Sequence, residues 1–286
     1  MPASGRVTSH CPPEDSLAAI RRWRDPAELS WQPIAGGRSN RSWRVSGDGQ
    51  DYVLRLSSGR VPAPVSNPRR ESIVHRAAAA AGLAPEVVHA DPDAGILVTR
   101  FLAGEVVPAA GFRAPDTLRA IGRLLRRVRE LPDPGGAYTL AMAGEAYLAR
   151  IRDAGPRAGG ERLVADLRGL SPPDRLRVCH MDPVAGNLVR TDAGLRLIDW
   201  EFAVAGDPLF DVAAVVAYHG LDAAASRCLL AAWADDPDDA LAARLERLVW
   251  AHDALHWLWL VATGAGPESE RRRLERRLDM TVEGTD

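Results

Sequence analysis

The chain has 286 residues, 46% of them hydrophobic, with 36 basic and 38 acidic side chains and a formal charge of −2. That length suits two lobes with a real apolar core. The balanced charge excludes the broad basic field that nucleic-acid binding needs, and no apolar run is long enough to span a membrane. The first residues also lack a signal-peptide core, so a cytoplasmic protein is expected. Two details of composition bear on chemistry. Cys11, Cys179 and Cys228 have neither metal-ligand nor disulfide spacing, and Cys179, in an apolar run, reads as a small buried hydrophobe. The chain contains no lysine, so arginine must do all the work of a basic side chain.

In chain order, residues 1–14 read as a poorly ordered tail. Leu17, Ile20 and Trp23 recur every three residues and predict a short amphipathic helix. Trp31 to Leu56 reads as strand, glycine loop, strand, Gly-Asp-Gly turn, strand. In that loop Gly36 and Gly37 let the backbone approach a ligand, and their amides with the Ser39 hydroxyl suit phosphate oxygens. Taken alone, however, the loop reads as a hairpin turn. The third strand carries Arg55. Arg69 to Ala81, alanine-rich and ended by Gly82, predicts a helix with Glu71 in its first turn, where an acid suits the helix dipole and also makes a natural partner for Arg55. Two further strands, around residues 85–90 and 95–102, follow.

Leu118, Ile121, Leu124, Leu125 and Val128 predict a core helix with an arginine-rich outer face. Residues 131–136 and 154–160 read as loops, with helices expected around Tyr147–Ile151 and Leu163–Leu167.

The chemistry concentrates between His180 and Asp211. His180, Asp182 and Asn187 share one loop. Leu188–Arg190 and Leu195–Ile198 read as the arms of a hairpin turning at Asp192-Ala193-Gly194, which brings Asp199 and Glu201 back beside that loop. Phosphoryl transfer needs a carboxylate to orient and deprotonate an attacking hydroxyl, and hard oxygen ligands for magnesium. Asp182 suits the first role; Asn187 and Asp199 suit the second. Asp207-Pro208 begins a helix. Asp211 in its first turn is either an ordinary dipole-favoured acid or a brace for the loop.

His180-x-Asp182-x-x-x-x-Asn187, then Ile198-Asp199-Trp200-Glu201, then Asp207-Pro208-x-x-Asp211 resembles the aminoglycoside phosphotransferase and choline kinase group of protein-kinase-like enzymes. Within that group the run most resembles the bacterial thiamine kinases. The resemblance implies an α+β bilobal protein-kinase-like fold, with a small antiparallel-sheet N-lobe over 15–102 and a mainly helical C-lobe over 103–286. It implies ATP and Mg2+ as cofactors, with the phosphates near Gly36, Gly37, Ser39, Asn40 and Arg55 and with Glu71 paired to Arg55. It also implies a hinge at Thr99, Phe101 and Leu102, and Leu188 or Ile198 as the floor under the base. His180 would brace the loop rather than move a proton. The chain departs from the family at Val184, where many relatives carry histidine, and in Arg119–Glu130, which lacks a histidine that often follows the paired arginines.

Only a few residues separate Glu201 from Asp207, too few for a peptide-binding segment, so the expected partner is a small-molecule alcohol, with no obligate protein partner evident. Asp253 and Trp257, four apart on a predicted helix, would suit a cationic ring such as that of thiamine, or choline, with Trp200 and Glu201 nearby; tryptophans at this spacing also read as core packing. An aminoglycoside would need carboxylates, for which Asp235 to Asp239 is the one candidate. The reading from another class is a non-catalytic nucleotide-binding pseudokinase.

Overall fold

Alternation of apolar and polar side chains makes the first layer. In the computed structural model, which describes residues 28–35, 40–59, 61–136 and 138–280 together with 12, 16, 17, 20, 23 and 25, β1 (Ser30–Ile34), β2 (Asn40–Gly47), β3 (Gln50–Ser57), β4 (Val87–Asp91) and β5 (Ile96–Arg100) form an antiparallel sheet in the order β1-β2-β3-β5-β4. One face is dry. Trp43 and Val45 from β2, and Tyr52, Leu54 and Leu56 from β3, pack there against Leu17, Ile20 and Trp23, so the N-terminal apolar triplet does cover the sheet. Asp48 and Gly49 both adopt positive φ, the geometry a tight two-residue hairpin turn demands. Gly36, Gly37 and Ser39, together with nearly all of the expected tail, lie outside the described residues.

Between β3 and β4 runs α1 (Pro68–Ala80). The Asn67 side chain accepts from the Arg70 amide at 3.0 Å, Pro68 fits the first turn, and alanines carry the helix on. Gly82 ends it at φ 68, with the Leu83 amide donating back to the Ala78 carbonyl at 2.8 Å. The buried side of α1, Val74 and Ala78, joins the larger core rather than that of the sheet. The Leu197 amide donates to the Leu83 carbonyl at 2.8 Å, which ties the end of α1 to the hairpin that turns at Asp192 and Ala193.

The remainder is mostly helical. It comprises β6 (Glu105–Val106), α2 (Pro115–Val128), α3 (Leu140–Leu148), α4 (Ala154–Arg168), β7 (Arg177–Cys179), β8 (Leu188–Thr191), β9 (Gly194–Leu197), β10 (Val204–Gly206), α5 (Leu209–His219), α6 (Ala223–Trp233), α7 (Asp239–Thr263) and α8 (Glu268–Arg277). β6, β8 and β9 form one small sheet, and β7 pairs with β10. A single apolar cluster runs through these helices, with α2 buried along Leu118, Ile121, Leu124, Leu125 and Val128 as its spacing predicts.

One expectation is overturned. Residues 154–160 are not a loop but the first half of α4. Gly160 weakens a helix by propensity, yet a side chain there would crowd Leu148 at 2.9 Å and Leu258 at 3.1 Å. Close packing on α3 and α7 therefore outweighs propensity. Among the described residues no helix is long and apolar enough to cross a membrane.

Candidate active site

The hairpin forms as its sequence requires. Thr191 pairs with Gly194 and Leu188 with Leu197, and the Ile198 amide donates to the Asn187 carbonyl at 3.0 Å, so the loop before β8 and the segment after β9 leave the hairpin side by side. Asn187 Nδ2 donates to the Asp182 carboxylate at 2.8 Å and to the Asp182 carbonyl at 3.0 Å. This fixes the rotamer of the candidate base and commits the amide nitrogen of Asn187, leaving its Oδ1 as the oxygen to offer a cation.

A second arrangement meets it from across the cleft. Arg55 donates to Asp199 Oδ1 at 2.5 Å through one nitrogen and to both oxygens of Glu71 through another. A guanidinium is a planar fork and can serve two carboxylates at once, which an ammonium does less well. Burial opposes the charge on Arg55, but Glu71, Asp199 and Glu201 outweigh it and the net shift is upward, so the cation is permanent. Glu201 is raised, by burial first and the Asp199 charge second, with Arg55 and the Asn40 amide opposing.

Two residues of the site take left-handed backbone without being glycine: Met181 at φ 73 and Asp199 at φ 62. Such strain persists only where surroundings over-determine it. Around Met181 those surroundings are visible. The buried Asp211 accepts from the His180 amide at 2.8 Å and the Met181 amide at 2.7 Å, and burial raises its pKa to about 7 against those two bonds.

His180 is fully buried. Its Nε2 donates to the Ile198 carbonyl at 3.0 Å and its Nδ1 accepts from the Asp182 amide at 3.3 Å. Burial lowers its pKa to about 4. With both nitrogens engaged in the neutral ring, it ties the loop to the segment that leads into Asp199. Trp200 packs edge-on against His180, centroids 4.7 Å apart, and is tilted against His75 of α1 at 6.2 Å. Trp200 is fully buried with its indole donating to the Leu197 carbonyl at 3.1 Å, which removes it from the acceptor-binding set.

The ionic and loop groups converge on a cavity of about 700 Å³ between the sheet and the helices, with His180, Trp200 and Asp211 packed behind its wall, within the usual range for small-ligand sites. Asn40, Arg55, Thr99, Phe101, Leu102, Asp182, Asn187, Ile198, Asp199 and Glu201 line it. Leu188 does not: alternation along β8 turns it into the core, fully buried, and Val189 and Ile198 supply the apolar floor instead. Glu71 lies behind Arg55, bordering a small separate recess.

Asp253 and Trp257 also face away. Asp253 pairs with Arg277 at 2.8 Å and the Trp257 indole donates to Glu275 at 3.2 Å, so both knit α7 to α8. The cavity is instead walled by His252, Leu255, His256 and Trp259, the stripe beginning one residue earlier on α7, together with Phe210 and Tyr218 of α5 and Tyr138 and Tyr147. The His256 and Tyr218 rings lie nearly parallel at 6.3 Å, with Trp259 tilted beside His256 at 5.9 Å. Sequence reasoning missed this wall, although its 252, 255, 256, 259 spacing marks one helix face. The acidic run at 235–239 is spent elsewhere: Asp235 pairs with Arg126, and Asp238 caps α7.

Comparison with known proteins bears on family and fold. The model of the phosphotransferase enzyme family matches residues 30–258. The thiamine kinase of Escherichia coli O1:K1 is 38% identical over 121 residues, which are 42% of this chain and 42% of that protein, so the matched region is less than half of either. The choline kinase LicA from Streptococcus pneumoniae superposes with a TM-score of 0.76 at 18% identity, covering 93% of this chain and 98% of that one. Aminoglycoside phosphotransferase APH(4)-Ia does so with a TM-score of 0.67 at 17% identity, covering 93% and 97%. These two show the shared α+β, protein-kinase-like fold. With most of its length matched by the family model, the chain belongs to the phosphotransferase enzyme family.

Proposed function

We propose that this phosphotransferase moves the γ-phosphoryl group of ATP to the hydroxyl of a small alcohol, thiamine foremost. The observation that carries the reading is the convergence of Asp182, Asn187, Asp199 and Arg55 on one cavity whose opposite rim is the strand end Thr99–Leu102. In this reading Asp182 accepts the proton of the acceptor hydroxyl as its oxygen bonds to the γ-phosphorus. The bond to the β,γ-bridging oxygen breaks, and ADP leaves. Arg55, held by Glu71, faces the α- and β-phosphates, and the backbone near Thr99 to Leu102 meets the base. Two solved structures similar in fold support a nucleotide: LicA in complex with AMP and APH(4)-Ia in a ternary complex with ADP and hygromycin B.

For magnesium, the donor set fits. Asn187 Oδ1, the Asp199 carboxylate and Glu201 are hard oxygens bordering the cavity, and Mg2+ on a nucleotide takes one or two carboxylates and keeps several waters. Bound there, the ion would neutralise charge on the β- and γ-phosphates. Since the donor is ATP, the cytoplasm is the expected compartment.

Thiamine is preferred because the partial match is to a thiamine kinase and because the far wall is aromatic. Among described residues, the carboxylates bordering the cavity are Asp182, Asp199 and Glu201, all at the phosphate end. A polycationic aminoglycoside finds no acidic surface on that wall. The same rings suit a quaternary ammonium, which makes choline or ethanolamine the second reading.

Coupled ADP release with thiamine, choline and kanamycin, for the wild type and Asp182→Asn, tests this. Thiamine should turn over fastest. Asp182→Asn should lose roughly 10²–10⁴-fold in kcat while MgATP binding, measured by calorimetry, changes little. Full activity in Asp182→Asn ends its role as base, turnover of kanamycin alone ends the thiamine preference, and nucleotide binding without turnover of any alcohol leaves a pseudokinase.

A further inference from the structure

One contact reaches the catalytic loop from the side away from the cavity. His219 is the last residue of α5, and Gly220 after it, at φ 56, ends the helix. Its Nε2 accepts a hydrogen bond from the Ala185 amide at 3.2 Å. The ring lies flat on Phe112, with centroids 3.6 Å and planes 17° apart, and meets Tyr218 edge-on at 5.1 Å. A ring nitrogen that accepts carries no proton, so the hydrogen sits on Nδ1. Burial first, and the Arg113 charge second, lower the pKa of His219 to about 4, which keeps that acceptor available at neutral pH.

The loop itself explains why this bond matters. Within it the Val184 amide donates to the Asp182 carbonyl at 2.9 Å and the Asn187 amide to the Val184 carbonyl at 3.0 Å. The Ala185 amide points out of that pattern, and its partner comes from α5. The same helix holds the start of the loop, where Asp211 accepts from the His180 and Met181 amides. Asp211 and His219 are eight residues apart, about 12 Å along the helix axis. α5 therefore grips the loop on both sides of Asp182, like a splint.

We propose that His219 is a positioning residue that holds Asp182 and Asn187 in register by fixing the Ala185 amide. It touches neither nucleotide nor acceptor, since it does not border the cavity. The proposal rests on Asp182 acting as the base. Its effect belongs in the chemical step, because the Arg55 and hinge contacts are made elsewhere.

His219→Leu removes the acceptor and keeps an apolar side chain against Phe112. His219→Gln places an oxygen near the Nε2 position and can accept the same bond. In the ADP-release assay, His219→Leu should lower kcat roughly 10–100-fold, the range seen when supporting hydrogen bonds are removed from a site. Its KM for ATP should stay within about twofold, and His219→Gln should recover most of the loss. Wild-type turnover in His219→Leu overturns the proposal, as does a folded His219→Gln no better than folded His219→Leu, which would assign the effect to the ring stack. If the Leu variant fails to fold, amide exchange of Ala185 in the wild type and the Gln variant decides: protection in both is expected, and a freely exchanging Ala185 in the wild type overturns the proposal. Absence of turnover in the wild type would instead remove the kinase reading, and Ala185 exchange would still report whether the loop is pinned.

Discussion

The two ends of the cavity are built from different materials. At the proposed phosphate end, charges are fixed by one another: Arg55 holds Glu71 and Asp199, Asn187 holds Asp182, and Asp211 holds the backbone that carries them. At the proposed acceptor end, rings from α5 and α7 make the surface, and shape replaces charge. The contrast teaches that the two ends can be altered by different kinds of substitution. Phosphoryl transfer needs fixed charges at set positions, whereas an alcohol can be selected by the contour of one helix face.

The sharpest way to break that contrast is at Arg55. Replacing it by Met leaves Glu71 and Asp199 uncompensated and should lower kcat/KM roughly 10²–10³-fold, as loss of a preorganised charge partner does. Arg55→Lys should recover only part of this, since a point charge does not span both carboxylates. Equal activity of Lys and Arg would show that the fork geometry is unimportant. Changes at the other end should act on the acceptor alone. Trp259→Ala should raise KM for the acceptor by an amount equivalent to about 1–3 kcal/mol, the worth of one aromatic stacking partner, with KM for ATP unchanged. Parallel rises in both constants would mean that the ends are not separable.

The smallest effect concerns pH. Burial first, and the Arg55 charge second, depress His75 to about 3 from an ordinary value of 6.5, and its Nε2 meets the Pro85 carbonyl at 3.1 Å. A histidine whose folded pKa is depressed contributes stability above its unfolded pKa and loses it as pH falls towards the folded one. The His75 contribution should therefore shrink between pH 7 and 5.5, so His75→Gln, which can still donate to Pro85, should gain about 1 kcal/mol of stability relative to wild type over that interval. Identical pH slopes in denaturant melts would show that His75 is not the neutral group assumed.

Much of the fold was legible in the sequence. The five-stranded sheet, the capped α1, the amphipathic α2 and the catalytic hairpin each announce themselves through short-range patterns that tertiary contacts then reinforce. The phosphate end was legible for the same reason: Asp182 and Asn187 lie five residues apart and a two-residue turn returns the chain to Asp199. Arg55 and Glu71, sixteen apart, could be paired only by placing them on a strand and the helix after it. The acceptor end was not legible. On α7, the stripe of His252, His256 and Trp259 and the stripe of Asp253 and Trp257 differ by one residue, about 100° of rotation, and both are aromatic. Which one faces the cavity is settled by α8, whose Arg277 and Glu275 claim the second. Likewise Gly159 and Gly160 suggest a loop until α3 and α7 are present to press on them.

A short link joins the sheet to the helical part of the chain. On one side the Phe101 amide is tied to the Asp51 carbonyl at 2.9 Å, in the sheet. On the other, Gly104 packs so closely on the Arg190 carbonyl that a side chain would overlap it, and Glu105 and Val106 pair with β8 of the catalytic hairpin. Between these anchors stand Leu102 and Ala103. The free backbone between sheet and helices is thus about two residues long, so with α1 buried in the larger core the cavity should keep its width between ligand-free and ligand-bound states.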